Sequence, residues 1–279
     1  MALSKLLSLV EKNLKDSAPF LAGIKERPSS LRLGITGPPG AGKSSLINCL
    51  VEIYRSKSLK VAILAVDPSS PFSGGAILGD RVRMGSHGED KGVYIRSLGS
   101  RGGFGGLNAS TGAMATILEA VGFDVVIIET VGVGQTELQV MNLADAVAVI
   151  LVPESGDVIQ TLKAGILEIA DIFVVNKADR PGAEVLFNEL QSLVDMEGEK
   201  NREVLLTSVT KNEGLPVFAE SLLSYAKNLR VKKRLAPERL RRELENLVLW
   251  TLAENLNSKI SKLRITNVYS AFEKFKIPK

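Results

Sequence analysis

The chain has one cysteine, Cys49, and one histidine, His87, in 279 residues. A single thiol closes no disulfide within the chain, which points to a reducing compartment. Cys49 falls in a helical stretch and reads as a small core residue. His87 lies in a polar loop, Gly85 to Asp90, and reads as solvated. One of each is too few for a transition-metal centre of the Cys/His type. Aromatic residues make up only 5% of the chain, which disfavours a stacking platform for single-stranded nucleic acid. The net charge of +4 is spread over interspersed charges of both signs, so no nucleic-acid surface is implied. No apolar run approaches the ~20 residues of a membrane span. The N-terminus turns charged at Glu11 and Lys12, unlike a secretory signal, and its acids argue against a transit peptide. The expectation is a cytoplasmic protein with neither nucleic-acid nor membrane partners. Internal repeats and low-complexity tracts are missing too.

What is present is a chain that can bury a substantial core, 45% hydrophobic, and a motif within it. An apolar run, Leu31 to Thr36, reads as a buried strand. Gly37-Pro38-Pro39-Gly40-Ala41-Gly42-Lys43-Ser44 follows, and Ser45 opens a helical pattern. This is G-x-x-x-x-G-K-S between a strand and a helix, the context that gives the motif its meaning. Glycines let backbone N–H groups converge on phosphate oxygens, and the helix N-terminus adds partial positive charge. Gly37 through Ser45 are the expected phosphate contacts. Lys43 is expected at the β- and γ-phosphates and Ser44 on Mg²⁺.

A second motif, Asn176-Lys177-Ala178-Asp179, follows an apolar strand, Ile172 to Val175. A carboxylate at Asp179 can accept from both the N1–H and the 2-amino group of guanine, a pair that adenine does not offer. Asn176 would bond the purine edge or brace the loop, and the Lys177 stem would cover the ring. Thr207-Ser208-Val209, closing the last strand, suits a short loop over the base. Behind a phosphate loop at this separation, the motif selects GTP and GDP.

Acids at strand ends supply the remaining candidates. Glu129 ends the run from Asp124 and opens Glu129-Thr130-Val131-Gly132. It suits a Mg²⁺ ligand, direct or through water, and Gly132 lets backbone approach the γ-phosphate. Gln135 reads equally as the group that orients the attacking water or as an ordinary loop residue. Asp67 and Asp80 flank a glycine-containing stretch of the kind that orders around γ-phosphate and Mg²⁺. They are candidates for the Mg²⁺ shell or for positioning water, the alternative being loop caps. Arg101, in a further glycine run, is either a phosphate contact or a surface arginine.

Further strands are expected at Lys60–Val66, Val93–Arg96, Ala146–Val152 and Val204–Thr207. Helices are expected at Ala109–Val121, Ile159–Ile169, Glu184–Val194 and Pro216–Leu229. Strands that are apolar throughout suit a parallel sheet covered on both faces. Leu3, Leu6, Leu7, Val10 and Leu14 predict one amphipathic N-terminal helix ending near Pro19. An apolar stripe from Leu240 to Leu263 follows a basic cluster and predicts a C-terminal dimerisation arm, or else a helix packed back on its own domain. The fold class is therefore α/β, a P-loop NTPase with a mostly parallel central sheet flanked by helices and helical extensions at both ends. The expected division is 1–27, an N-terminal extension; 28–230, the nucleotide domain; and 231–279, the C-terminal extension.

Ala65-Val66-Asp67-Pro68-Ser69-Ser70-Pro71-Phe72, Gly79-Asp80-Arg81, Glu129-Thr130-Val131-Gly132-Val133-Gly134-Gln135 and Asn176-Lys177-Ala178-Asp179 occur in this order. Together they resemble the MeaB/ArgK family of P-loop GTPases, over roughly Leu31 to Leu229. The resemblance implies a homodimeric G-protein chaperone of an adenosylcobalamin-dependent acyl-CoA mutase, usually methylmalonyl-CoA mutase. It implies that GTP hydrolysis gates cofactor loading and mutase protection. It also implies that Asp67, Asp80 and Glu129 form an acidic shell, and that Lys163 belongs to a third switch that answers to the partner. The chain departs from the family pattern at Arg81, at Ala164 and at Arg180-Pro181. Two rivals are a GTPase for nickel insertion, which the scarcity of Cys and His disfavours, and a transport-associated kinase, for which no acceptor site is evident. A nucleotide-dependent assembly factor with negligible turnover is a third.

Overall fold

The computed structural model describes residues 2–25, 27–67, 89–99, 110–130, 140–154, 169–196 and 202–234, with scattered helical positions from 237 to 258. Asp80, Gly132, Gln135 and Lys163 lie outside the described residues, as does the helix expected at Ile159–Ile169 apart from its last residue.

Among the described residues, seven strands form one sheet: β1 Leu31–Thr36, β2 Val61–Asp67, β3 Val93–Gly99, β4 Val125–Thr130, β5 Ala146–Leu151, β6 Ile172–Asn176 and β7 Glu203–Thr207. Their order is β3-β2-β4-β1-β5-β6-β7, and every neighbouring pair is parallel. Parallel strands need crossovers, which put helices on both faces and make both faces apolar. β1, β4, β5 and β6 are accordingly buried at every position. β3 runs three residues beyond its expected end at Arg96, because pairing with β2 continues in register to Asp67 opposite Gly99.

The flanking helices are α1 Ala2–Lys12, α2 Leu14–Ala22, α3 Lys43–Ser56, α4 Ser110–Ala120, α5 Ala183–Met196 and α6 Leu215–Arg234. Leu31, Leu33 and Ile35 point to one face, where Leu46, Ile47 and Leu50 of α3 meet Phe218 and Leu222 of α6. On the other face α5 covers β5 and β6, and α1, α2 and α4 cover β2 and β4. A buried ion pair lies under α4. The Arg32 guanidinium donates to both Glu119 oxygens, at 3.1 and 2.8 Å, and to Thr116 Oγ1 at 3.0 Å.

The N-terminal expectation needs correcting. The stripe from Leu3 to Leu14 is carried by two helices, not one. The break falls at Asn13 (φ −134°, ψ 58°), and α2 then runs through Pro19 to Ala22. The break lets Leu7, Val10 and Leu14 all reach the same core cluster. Proline removes one helical N–H from α2 without ending it.

At the other end, Leu247 packs against the cluster formed by α1, α2 and α4 of its own chain. Leu244, Val248, Leu249 and Leu252 remain exposed. Among the described residues, no helix is long and apolar enough to cross a membrane.

Candidate functional site

All seven strands point the same way, so their C-terminal ends share one edge, where open parallel sheets take their ligands. Thr36, Asp67, Thr130, Asn176 and Thr207 each end a strand there. The loop Gly37–Gly42 leaves β1 at the centre of this edge and enters α3.

Two glycines are needed where they stand. Gly37 has φ +139°, and a Cβ there would lie 2.1 Å from the Ile150 carbonyl oxygen of β5. Gly42 has φ +84°, and a Cβ there would lie 2.5 Å from Asn176 Nδ2. Lys43 is buried, and its ammonium donates to the carbonyls of Gly37 at 2.8 Å and Pro38 at 3.0 Å. The loop thus closes around its own lysine. Ser44 Oγ donates to Glu129 Oε1 at 2.9 Å, joining the first turn of α3 to the end of β4. Beneath them Thr130 Oγ1 donates to Thr36 Oγ1 at 2.8 Å, tying the ends of β1 and β4. Ser45 is exposed beside Ser44.

The second motif reaches the first directly. Asn176 is buried; its Nδ2 donates to the Ala41 carbonyl at 2.8 Å, and its Oδ1 accepts from Thr207 Oγ1 at 3.2 Å. Of the two roles left open for Asn176, this geometry is that of the brace. Lys177 takes a left-handed backbone, φ +57°, and Ala178 N–H donates to the Thr207 carbonyl at 3.0 Å. Asp179 is exposed and accepts from Ser208 Oγ at 2.5 Å. That bond, foremost, holds the Asp179 carboxyl below the usual aspartate range. Ser208 also exchanges two backbone bonds with Glu213, which shapes the loop after β7, and Val209 packs half-buried against the core.

The structure therefore brings together Gly37 to Ser45, Glu129, Asn176, Lys177, Asp179, Ser208 and Val209. Asp67 ends β2 on the same edge, opposite Gly99; its side chain is outside the described set. Sequence reasoning missed the Thr36–Thr130 pair and the bond from Thr207 to Asn176. A threonine at the end of an apolar strand was the only signal, and it is a weak one.

A family model described as methylmalonyl Co-A mutase-associated GTPase MeaB matches residues 3–264. The chain belongs to the MeaB family. A Pyrococcus horikoshii protein that carries a provisional GTPase name is 41% identical over 271 residues, covering 94% of this chain and 86% of the relative. A mouse mitochondrial protein, the methylmalonic aciduria type A homolog, is 42% identical over 153 residues, 55% of this chain and 37% of that one. Among solved structures, the crystal structure of an LAO/AO transport system kinase matches with a TM-score of 0.68 and 27% identity, over 93% of this chain and 82% of that one. Family and fold make this MeaB-family member a P-loop GTPase.

Proposed function

We propose that this MeaB-family GTPase binds GTP and GDP with Mg²⁺ and couples hydrolysis to cofactor loading and protection of an adenosylcobalamin-dependent acyl-CoA mutase, methylmalonyl-CoA mutase being the first candidate. The observation that carries the nucleotide chemistry is the contact of Ser44 Oγ with Glu129 Oε1 at 2.9 Å, beside the Lys43 loop. The partner is supported by the family description and by the name of the mouse relative.

The donors at the loop mouth fit Mg²⁺. A hydroxyl and a carboxylate are hard oxygen ligands of the kind the ion takes, and these two already meet. Ser44 and Glu129 would hold it, with Asp67 and Asp80 as further acids of the shell. Bound there, Mg²⁺ supplies neutralisation of charge on the β- and γ-phosphate oxygens.

The chain's own groups do the rest. Backbone N–H groups of Gly37 to Ser45, at the positive end of α3, wrap the phosphates. The Lys43 ammonium leaves the Gly37 and Pro38 carbonyls for the β- and γ-phosphates. Asp179 accepts from the N1–H and 2-amino group of guanine, and the Lys177 stem covers the ring. Ser208 and Val209 line the base from the loop after β7. Gly132 and Gln135 serve the γ-phosphate and the attacking water, and Lys163 answers to the mutase. The functional unit is a homodimer joined through the C-terminal extension.

The test is GTP hydrolysis with and without an adenosylcobalamin-dependent mutase from the same source. Stimulation by the mutase that is lost in Lys43→Ala is the expected result. Turnover indifferent to the mutase would overturn the client, and transfer of the γ-phosphate to an acceptor other than water would turn the reading toward a kinase. Base selection has its own check. Asp179→Asn swaps an acceptor for a donor facing position 2, so GTP affinity should fall and xanthosine triphosphate affinity rise.

A further inference from the structure

Glu154 belongs to none of the motifs above, yet it touches the base-recognition loop twice. It lies in the turn after β5, and β6, which carries Asn176 and Lys177, is the neighbouring strand. One carboxylate oxygen, Oε2, stands 3.7 Å from Lys177 Nζ. The other, Oε1, accepts from Arg180 Nη1. The carboxylate is thus shared by two cations of one loop, one on each side of Ala178-Asp179.

We propose that Glu154 is a positioning residue for the nucleotide: anchored by Arg180, it holds the Lys177 side chain in place for the face of the guanine ring. The inference rests on the guanine-nucleotide reading above. Lysine has a long, freely rotating stem, and ordering it only when ligand arrives costs conformational entropy. A carboxylate that fixes the ammonium beforehand takes that cost out of the binding step. The stem can then lie apolar against the ring while its charged end stays partly in water, as lysine stems do. Lys177 is 28% exposed and Glu154 45% exposed. Ion pairs that open add little to folding stability, so the pair's effect should appear in binding rather than in unfolding. The hydrogen bond from Arg180, foremost, holds the Glu154 carboxyl below the usual glutamate range.

The mechanism leaves a signature. Asp179 reads the edge of the base, whereas the lysine stem covers only its face. Loss of Glu154 should therefore weaken guanine and hypoxanthine nucleotides by the same factor.

The experiment uses the full chain, with calorimetric titration of GDP and IDP and steady-state GTP hydrolysis. In Glu154→Gln, both affinities should fall roughly twofold to fivefold, within the range of an exposed ion pair. KM should rise with kcat little moved, and the unfolding midpoint should stay put. In a Lys177→Met background, Glu154→Gln should change nothing further. Unchanged GDP affinity in Glu154→Gln overturns the inference. So does a loss that persists in the Lys177→Met background, or one confined to GDP, which would route the effect through Asp179. A wild-type chain that binds neither GDP nor GTP overturns the guanine-nucleotide reading, and this inference with it.

Discussion

The Asn176 side chain donates to the carbonyl of Ala41 across 2.8 Å, so one buried amide joins the loop of the second motif to the loop of the first. Its oxygen is held in turn by Thr207. Strand ends β6 and β7 and the loop after β1 are therefore set by a single residue. Asn176→Ala leaves the Ala41 carbonyl and the Thr207 hydroxyl without that partner, a loss of about 2 kcal/mol for two buried polar groups. Denaturant midpoints should register it, and GDP affinity should fall as well, because both halves of the site lose their brace.

Gly37 and Gly42 should respond differently to alanine. At Gly37 the new Cβ meets the Ile150 backbone oxygen at 2.1 Å, and a central strand has no room to retreat. Gly37→Ala should cost upwards of about 2 kcal/mol in stability, read as a lowered unfolding midpoint without nucleotide. At Gly42 the new Cβ meets the movable amide of Asn176 at 2.5 Å. Gly42→Ala should displace that amide from Ala41, so its loss contains the Asn176→Ala loss plus the strain of an alanine at φ +84°. The double variant should then be less destabilised than the two single effects added together.

Ser208→Ala should change how stability depends on pH. The Ser208 hydroxyl is the main reason the folded Asp179 carboxyl sits below its ordinary value. A depressed folded pKa gives stability that is present above the unfolded value, about 3.9, and is lost as pH falls through the lower folded value. The wild type should exceed Ser208→Ala at neutral pH, and the gap should close in acid. Urea midpoints of both proteins across that range would measure it. A gap that widened in acid would contradict the assignment.

Most of the sheet was legible because its strands are apolar throughout, so the seven expected runs lie within a residue or two of the seven strands at nearly every end. β3 was the exception. Ser97 and Gly99 give no apolar signal, and only pairing with β2 carries the strand on to Asp67 and Gly99. The N-terminal helix was misread for a related reason. The spacing of Leu3 to Leu14 holds across Asn13, so periodicity cannot see a change of direction there, and Pro19 looked like a stop. Within the candidate site, residues with special local chemistry stand out in the sequence: glycines, Lys43, Asp179. Bonds between partners distant along the chain were not legible. Thr36, Thr130, Thr207 and Glu154 acquire their partners 94, 94, 31 and 26 positions away along the chain, and no local pattern announces them.

Helix α6 is the last element of the main body, yet it lies across its middle. Phe218, Ala219, Leu222 and Ala226 complete the cluster that holds Leu33, Ile35 and α3, and the Tyr54 hydroxyl donates to the Ala219 carbonyl at 3.0 Å. During translation the phosphate loop and its strand emerge from the ribosome some 180 residues before this helix does. A nascent chain halted after β7 has all seven strands but an uncovered apolar face behind β1. It is a ready client for holding chaperones, and premature termination anywhere before α6 should yield aggregates rather than a smaller working protein.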